Sequence, residues 1–526
     1  MKDYTKNQFL FIFGAIAAMA GFYIIITATS RYGIGLTMDG ASYVACARSL
    51  VDGQGFYAFD GRPYIHWPPL FPLVLAGPAL FGPDPVDILP WLHALVFGLI
   101  VFGFHYILQK NLKSFLLVVW GTLTALLTLP IINLSISAYA EPLFILLSGA
   151  YIYCLQAFLT NEKKACFVLA CLFASLSCLQ RYAGVILPVA GAVLIIAGFR
   201  HLTLEKRFKH AVILCMAAYL PLGVWLVRNL VVSTRIAGFE AGGGGHWLEL
   251  VGSHTKIVMS WIFPTQEHLI WTPMVIILQI CILVLLWFSD RKKIRLVFRA
   301  QNLRTMPGAM GLCFAFYWVF ILFTEWFSYD VDNNPHRFLA VIQLPFYFLV
   351  LAWIDKLMAA AKTMRWFRAL QVVTACLALF WIVALWDRTS AKIEQTMVKE
   401  PGLSLFNYEG PGKGRIPSDQ KERLALCRWL ESLPEDCPVY SNVAPFLYGL
   451  YGVKSMWAPM KRGNSEVFAK GVLGWRKPCA FLRFDLLTSP DYKGILTLQY
   501  IMDFPEGQAF LIMPEAPGRG RPLVTR

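Results

Sequence analysis

The chain has 526 residues, of which 57% are hydrophobic and only 15% charged, against roughly 25% charged in an average soluble domain. That composition excludes an ordinary soluble enzyme and describes a polytopic membrane protein, whose apolar runs of about 20 residues each match a hydrocarbon core of roughly 30 Å. The net charge of +15 does not point to nucleic acid, because the basic residues fall in short loops between apolar runs, where topology accounts for them.

In chain order the predicted spans cover residues 9–29, 88–108, 114–133, 139–159, 165–180, 183–199, 211–232, 271–289, 306–327, 337–354 and 370–386, eleven in all. The first exceeds the apolar core of a signal peptide and no small-residue cleavage site follows it, so it reads as a retained anchor. The fifth and sixth are short and separated only by Arg181 and Tyr182. Counted separately, with a cytoplasmic N-terminus, they give cytoplasmic loops with 20 Lys and Arg in 60 residues. The outer loops then hold six in 112 residues: Arg31, Arg48, Arg62, Arg181, Arg235 and Lys256. Merging them would put the basic stretches 200–210, 290–305 and 355–369 outside, so the positive-inside bias selects two spans. The odd total places the C-terminal segment outside.

The first outer loop, residues 30–87, is too long for a plain connector. From Ala41 to Leu50 its apolar residues have helical spacing, with Asp39 as N-cap candidate, which predicts a short helix along the membrane surface. Asp39 is then either only a cap or a functional carboxylate at the lipid-water boundary. A Gly-rich turn (DGQG, 52–55), Asp60-Gly61-Arg62-Pro63 and His66-Trp67-Pro68-Pro69-Leu70 follow. The proline pair predicts an extended segment and then a helix start. The stretch 70–82 is too short to cross and is predicted interfacial or re-entrant, leaving Arg62 and His66 near the outer surface with Asp39.

Further along, Glu141 starts the fourth span, Arg181 joins the fifth and sixth, Arg228 ends the seventh, and His336 and Arg337 start the tenth after the acidic loop SYDVDNN. Ionisable groups near hydrocarbon are costly and commonly face a polar cavity. Each alone is open to a snorkelling explanation; as a set they bring both charge signs to one membrane face, as a cleft for an anionic headgroup would. The loop 233–270 carries Gly242 to Gly245 before His246 and Trp247, a lid over a ligand or a flexible connector. Beyond a linker at 388–419, an amphipathic stretch at 420–433 and strand-like runs at 438–442, 479–484 and 508–513 predict a small extracytoplasmic α/β domain over 420–526. Eight of the twelve cysteines lie in spans, while Cys46, Cys427, Cys437 and Cys479 would face an oxidising compartment. A disulfide among the last three is open, and spacing does not choose the pair.

Four landmarks in order carry a resemblance: Asp39 with ASYVACARSLVDGQG and HWPPLFP, AYAEPLF around Glu141, LQRYAGVILP from Leu179, and HRFLAVIQLP from His336. Together they resemble the GT-C integral-membrane glycosyltransferases that use polyprenyl-phosphate sugars, such as protein O-mannosyltransferases and the lipid A aminoarabinose transferase. The resemblance spans roughly residues 1–387. It implies a GT-C-like catalytic domain of about 11 transmembrane helices in the plasma (inner) membrane, with interfacial helices in the first outer loop and a periplasmic C-terminal domain. The implied activity is inverting transfer of a sugar from a polyprenyl-phosphate donor to a lipid, glycan or protein acceptor. It further implies that Asp39 is the catalytic base. A guanidinium fork matches phosphate oxygens, so Arg337 ranks first for the leaving phosphate. Arg181, Arg62, His66, Glu141, Tyr43 and His246 complete the candidate substrate contacts.

Two departures stand out. Many relatives have Asp-Glu where this chain has Asp39-Gly40, and the aminoarabinose transferase has Lys before its proline pair where this chain has Trp67. Some relatives bind a divalent metal through outer-loop acids or histidines; here His66, His246, His254 and His268 are scattered, with no CxxC or HExxH pattern, which leaves metal dependence open. The alternatives are a transporter or flippase for lipid-linked glycans, which needs charges deeper in its spans and often shows two related halves; a glycan polymerase or ligase of another fold; and a scaffold with an outer sensing domain.

Overall fold

A chain in hydrocarbon must satisfy its backbone hydrogen bonds internally, so its apolar runs fold as helices. The computed structural model describes residues 2–30, 33–199, 201–238, 247–262, 303–327, 335–362, 367–398, 421–434, 437–441, 453, 455–457, 479–484, 497–504 and 507–513. In order the helices are α1 (Lys2–Thr29), α2 (Met38–Val51), α3 (Leu70–Ala79), α4 (Pro85–Asn111), α5 (Phe115–Leu126), α6 (Leu129–Ser135), α7 (Glu141–Asn161), α8 (Lys164–Gln180), α9 (Ile186–Gly198), α10 (Leu204–Ser233), α11 (Trp247–Ile262), α12 (Met306–Phe327), α13 (Pro335–Leu339), α14 (Gln343–Ala361), α15 (Phe367–Val398) and α16 (Lys421–Glu431). Among the described residues seven helical segments are long and apolar enough to cross a membrane, and the bent pair α5 and α6 makes an eighth if it counts as one span. The protein is a multi-pass membrane protein. The predicted span 271–289 lies outside the described residues.

Three differences from the sequence reading have local causes. The span expected at 114–133 breaks by 41° between α5 and α6, where Pro130, in the first turn of α6, lacks an N–H and disfavours helix in the residue before it. Helix α15 continues to Val398, through residues expected to be linker, so at roughly 1.5 Å per residue it outreaches the hydrocarbon core. Helix α2 is enclosed by protein rather than lying open at the surface. Ala41, Ser42, Val44, Ala45, Cys46, Ala47 and Ser49 are all buried, because small side chains allow protein to close round every face.

The fifth and sixth predicted spans are two separate helices, α8 and α9. A 3-10 turn (Tyr182–Val185) follows Arg181, and Gly184 packs so closely on the Ser177 carbonyl that a Cβ has no room there. The chain therefore reverses. Phe158 on α7 touches both Phe167 near the start of α8 and Phe199 just beyond α9, with ring centroids 4.7 and 5.1 Å apart, so both far ends meet at one face of the bundle. At that same face the Asp355 carboxylate accepts from the N–H groups of Lys113 and Ser114, at 3.1 and 2.9 Å, where α5 begins.

At the opposite face the segment between α1 and α4 is tied down. Arg48 forks onto Asp84, with Nε and Nη2 bonds of 2.9 and 3.1 Å, while Asp84 caps α4 through the Val86 N–H. Arg228 at the end of α10 donates to the carbonyls of Tyr64 (2.7 Å) and Phe56 (3.0 Å) and stacks 4.8 Å from the Trp225 ring centre. Helix α3 and the turn after it keep an apolar exposed side, with Leu73, Leu80 and Phe81 uncovered, as an interfacial segment does.

The C-terminal segment forms a five-stranded sheet of β1 (Val439–Ser441), β2 (Met456–Trp457), β3 (Cys479–Phe484), β4 (Thr497–Phe504) and β5 (Gly507–Met513), in the order β2-β1-β3-β5-β4. The β1 pairings are parallel and those of β5 antiparallel, with Phe481 opposite Phe510. The expected strands are present as β1, β3 and β5. β4 was not expected, since a register shift between Tyr500 and Met502 interrupts the alternation that marks a strand. The side chains of Cys427 and Cys479, two of the three candidates for a disulfide, lie outside the described residues.

Replacing Arg228 by Ala leaves two loop carbonyls without their charged donor and costs about 2 kcal/mol. The expected result is a lower midpoint of thermal unfolding in detergent and faster proteolysis within residues 52–68, with Arg228→Lys recovering only part because it lacks the planar fork.

Candidate active site

A short parallel bridge between Gly35 and Ser137 brings the first outer loop against the chain entering α7. The Gly35 N–H donates to the Ile136 carbonyl (2.8 Å) and the Ala138 N–H to the Gly35 carbonyl (2.6 Å). Thr37, not Asp39, caps α2, its hydroxyl accepting from the Gly40 N–H at 2.9 Å. Asp39 sits one position inside the first turn, where its negative charge suits the helix N-terminus and its carboxylate is available for another partner. Gly40 faces Ala138: a Cβ there would fall 2.5 Å from the Ala138 Cβ and 2.7 Å from its carbonyl oxygen. The glycine that departs from the Asp-Glu pattern is therefore what lets α2 approach the start of α7.

Four charged side chains meet at that approach. On α13 the Arg337 Nε donates to Glu141 Oε1 and its Nη2 to Asp39 Oδ2. The Arg181 Nη1 pairs with the same Glu141 oxygen. The side chains of Glu141, Arg337, Arg181 and Asp39 are 0, 4, 15 and 19% exposed, so access increases outward from Glu141. The Arg337 guanidinium lies 4.0 Å from the Tyr139 ring centre, and both guanidiniums stand 5.5 Å from that of Phe338. Gln180, just before Arg181, donates to the Ala140 carbonyl at 2.9 Å and so ties the α8 end to the α7 start. Two carboxylates against two guanidiniums cancel, which is what makes burial of any one of them tolerable.

Tyr43, one turn after Asp39, is buried against Trp67 and Phe71 at ring distances of 5.5 and 5.0 Å. Burial first, and the Asp39 charge second, push its phenol well above the usual range, so it remains a neutral hydroxyl. Arg62 is not brought to the cluster: its side chain is 78% exposed and pairs with Asp60 at 3.6 Å. His66 is exposed, lies 5.4 Å from the Trp67 ring, abuts Gly238, and is thus one ring removed from Tyr43. His246 and the glycines before it lie outside the described residues.

A second buried pair escaped the sequence reading. His254 on α11 meets Glu325 on α12 at 2.7 Å through Nε2, and its Nδ1 accepts from the Trp318 N–H at 3.1 Å. That joins α11 to α12, and α11 also packs on α13, the helix that carries Arg337. Glu325 in the otherwise apolar string FILFTEWF was the available signal. Among the described residues no group of three or more His, Cys, Asp and Glu is placed to hold a metal. Asp39 and Glu141 each face a nitrogen of Arg337, so a guanidinium fills the position between them and the pair does not fit a divalent cation.

Toward the membrane interior, Phe144 and Val341, each about one turn beyond Glu141 and Arg337, line a cavity of about 200 Å³ between α4, α7, α12 and α14. Tyr317 lies near its head, and Tyr106 and Tyr153 are at its far end. Its wall is almost wholly apolar.

No family model and no curated protein matches the chain. Among solved structures 22 chains match. ArnT from Cupriavidus metallidurans bound to undecaprenyl phosphate aligns with a TM-score of 0.55 and 14% identity, over 95% of this chain and 97% of that one. The same protein in the apo state gives 0.54 and 14%, over 97% and 98%. The arabinofuranosyltransferase AftD from Mycobacteria gives 0.53 and 14%, over 95% of this chain and 41% of AftD. At this identity the likeness is one of fold: over nearly its whole length the chain folds as these proteins do.

Adding a methyl group at position 40 tests the close approach of α2. Gly40→Ala is expected to destabilise by roughly 1–3 kcal/mol through overpacking, read from thermal unfolding. Adding Ala138→Gly should restore only part, because the carbonyl obstruction remains.

Proposed function

We propose that this protein is a glycosyltransferase that moves a sugar from a polyprenyl-phosphate donor to an extracytoplasmic acceptor, inverting the configuration at C1. The observation that carries this reading is the cluster of Asp39, Arg337, Glu141 and Arg181: a partly exposed carboxylate beside two guanidiniums. An apolar cavity lies directly on its membrane side. The chemistry asks for those parts. An acceptor O–H or N–H attacks C1 of the sugar as the C1–O bond to phosphate breaks, the electron pair leaving with the lipid phosphate. One carboxylate takes the acceptor proton, and cations stabilise the charge that grows on the leaving oxygen.

In this reading Asp39 is the base and Arg337, with Arg181 beside it, holds the phosphate. The neutral Tyr43 hydroxyl is a donor toward the same space. A single displacement with one base inverts the anomeric centre. The site opens on the outer face of the plasma (inner) membrane, and α15, which returns to that face, carries the C-terminal sheet into the periplasm. ArnT with undecaprenyl phosphate bound supports the donor class by analogy of fold. The acceptor is a lipid, glycan or protein.

Purified protein incubated with a synthetic polyprenyl-phosphate sugar and a cell-envelope extract should transfer the sugar, with the product anomer opposite to the donor by NMR. Asp39→Asn should lower turnover about 10²–10⁴-fold; near-normal turnover in that variant would defeat the assignment of the base.

A further inference from the structure

The resting cluster poses a problem for the reaction just described, because the base and the phosphate-binding guanidinium are bonded to each other. The Arg337 Nη2 lies on Asp39 Oδ2, so one oxygen of the base is already occupied by the donor that the phosphate needs. The same Arg337 fork has its Nε on Glu141. These two carboxylates are not equivalent. Glu141 is wholly buried and uses one oxygen to hold both Arg337 and Arg181. Asp39 is the most exposed member of the four and stands on a separate helix whose cap is provided by Thr37, so it can leave Arg337 without uncapping α2.

Resting on the proposed donor class, we propose that the Asp39–Arg337 ion pair is an exchangeable latch: the donor's phosphate takes Asp39's place on Arg337, and this frees Asp39 to act as the base. Glu141 is the positioning residue that keeps Arg337 and Arg181 in place during the exchange. Charge is conserved through the cycle. The four side chains sum to zero, and the bound sugar phosphodiester brings one negative charge. When the C1–O bond breaks, the leaving phosphate gains a second negative charge as Asp39 accepts the acceptor's proton and becomes neutral, so the pocket's total does not change with the chemistry. Departure of the lipid phosphate and of that proton lets Asp39 return to Arg337. An unloaded site therefore keeps its base engaged until the donor arrives.

The latch separates two effects that an ordinary base would not. Asp39 competes with phosphate for Arg337, so its neutral variants should bind the lipid phosphate more tightly although they cannot turn over. Binding of decaprenyl phosphate, without sugar, to the full chain in nanodiscs reads this directly. Asp39→Asn and Asp39→Ala should each bind about tenfold more tightly than the unmodified protein. Glu141→Gln should bind at least about tenfold more weakly, with donor KM raised more than kcat is lowered, a split that mere loss of folded protein does not produce. Unchanged or weaker binding in both Asp39 variants overturns the latch and leaves the glycosyltransferase reading intact. Failure of the unmodified protein to bind decaprenyl phosphate overturns that reading and the latch with it. A cryo-EM structure of the unmodified protein with the lipid bound provides a check that needs no variant. Arg337 on the phosphate with Asp39 beyond 4 Å supports the exchange, and an intact ion pair with the phosphate held elsewhere overturns it.

Discussion

A buried carboxylate that has lost its water must be repaid by opposite charge, and Glu141 is such a group. It enters α7 with no exposed surface and draws in two guanidiniums from distant parts of the chain, Arg181 from the α8–α9 reversal and Arg337 from α13. Because an isolated charge at that depth would cost several kcal/mol, the three elements have to meet, and the site is as much a condition of the fold as a product of it. Asp39 joins last, through Arg337, and its looser attachment gives the cluster one member that can exchange.

The approach of α2 depends on small residues rather than on charge. Gly40 permits contact with Ala138, the Gly35–Ser137 bridge aligns the two segments, and the Arg48–Asp84 fork anchors the other end of α2 to α4. Charge selects which side chains meet, and sterics set how closely their backbones come. With Arg337 between the two acids, the positive charge at this place is carried on the chain itself.

Much of this arrangement was legible in the sequence, for one physical reason. Polar groups in hydrocarbon are expensive, so Glu141, Arg181 and Arg337 stood out against their apolar surroundings, and hydropathy with loop charge separated α8 from α9. The parts that were not legible depend on contacts distant in sequence or on choices between near neighbours. Thr37 and Asp39 are both good caps two residues apart, and the sequence favours the wrong one. His254 and Glu325 lie 71 positions apart, so His254 reads as one of several scattered outer-loop histidines and nothing near it points to Glu325. Asp355 looked like part of a basic loop, yet it closes the start of α5. Arg62 ranked with Arg181 behind Arg337, because nothing local reveals that its turn leaves it exposed and paired with Asp60.

The reversal at Arg181 also has a meaning for the bilayer itself. Helix α8 has 17 residues, about 25 Å at 1.5 Å per residue, several Å less than the hydrocarbon layer. Lipid bordering the hairpin adapts to such mismatch by thinning, at fractions of a kcal/mol per Å. A bilayer fitted to α8 is therefore thinner beside Arg181 than along the longer helices α4 and α10.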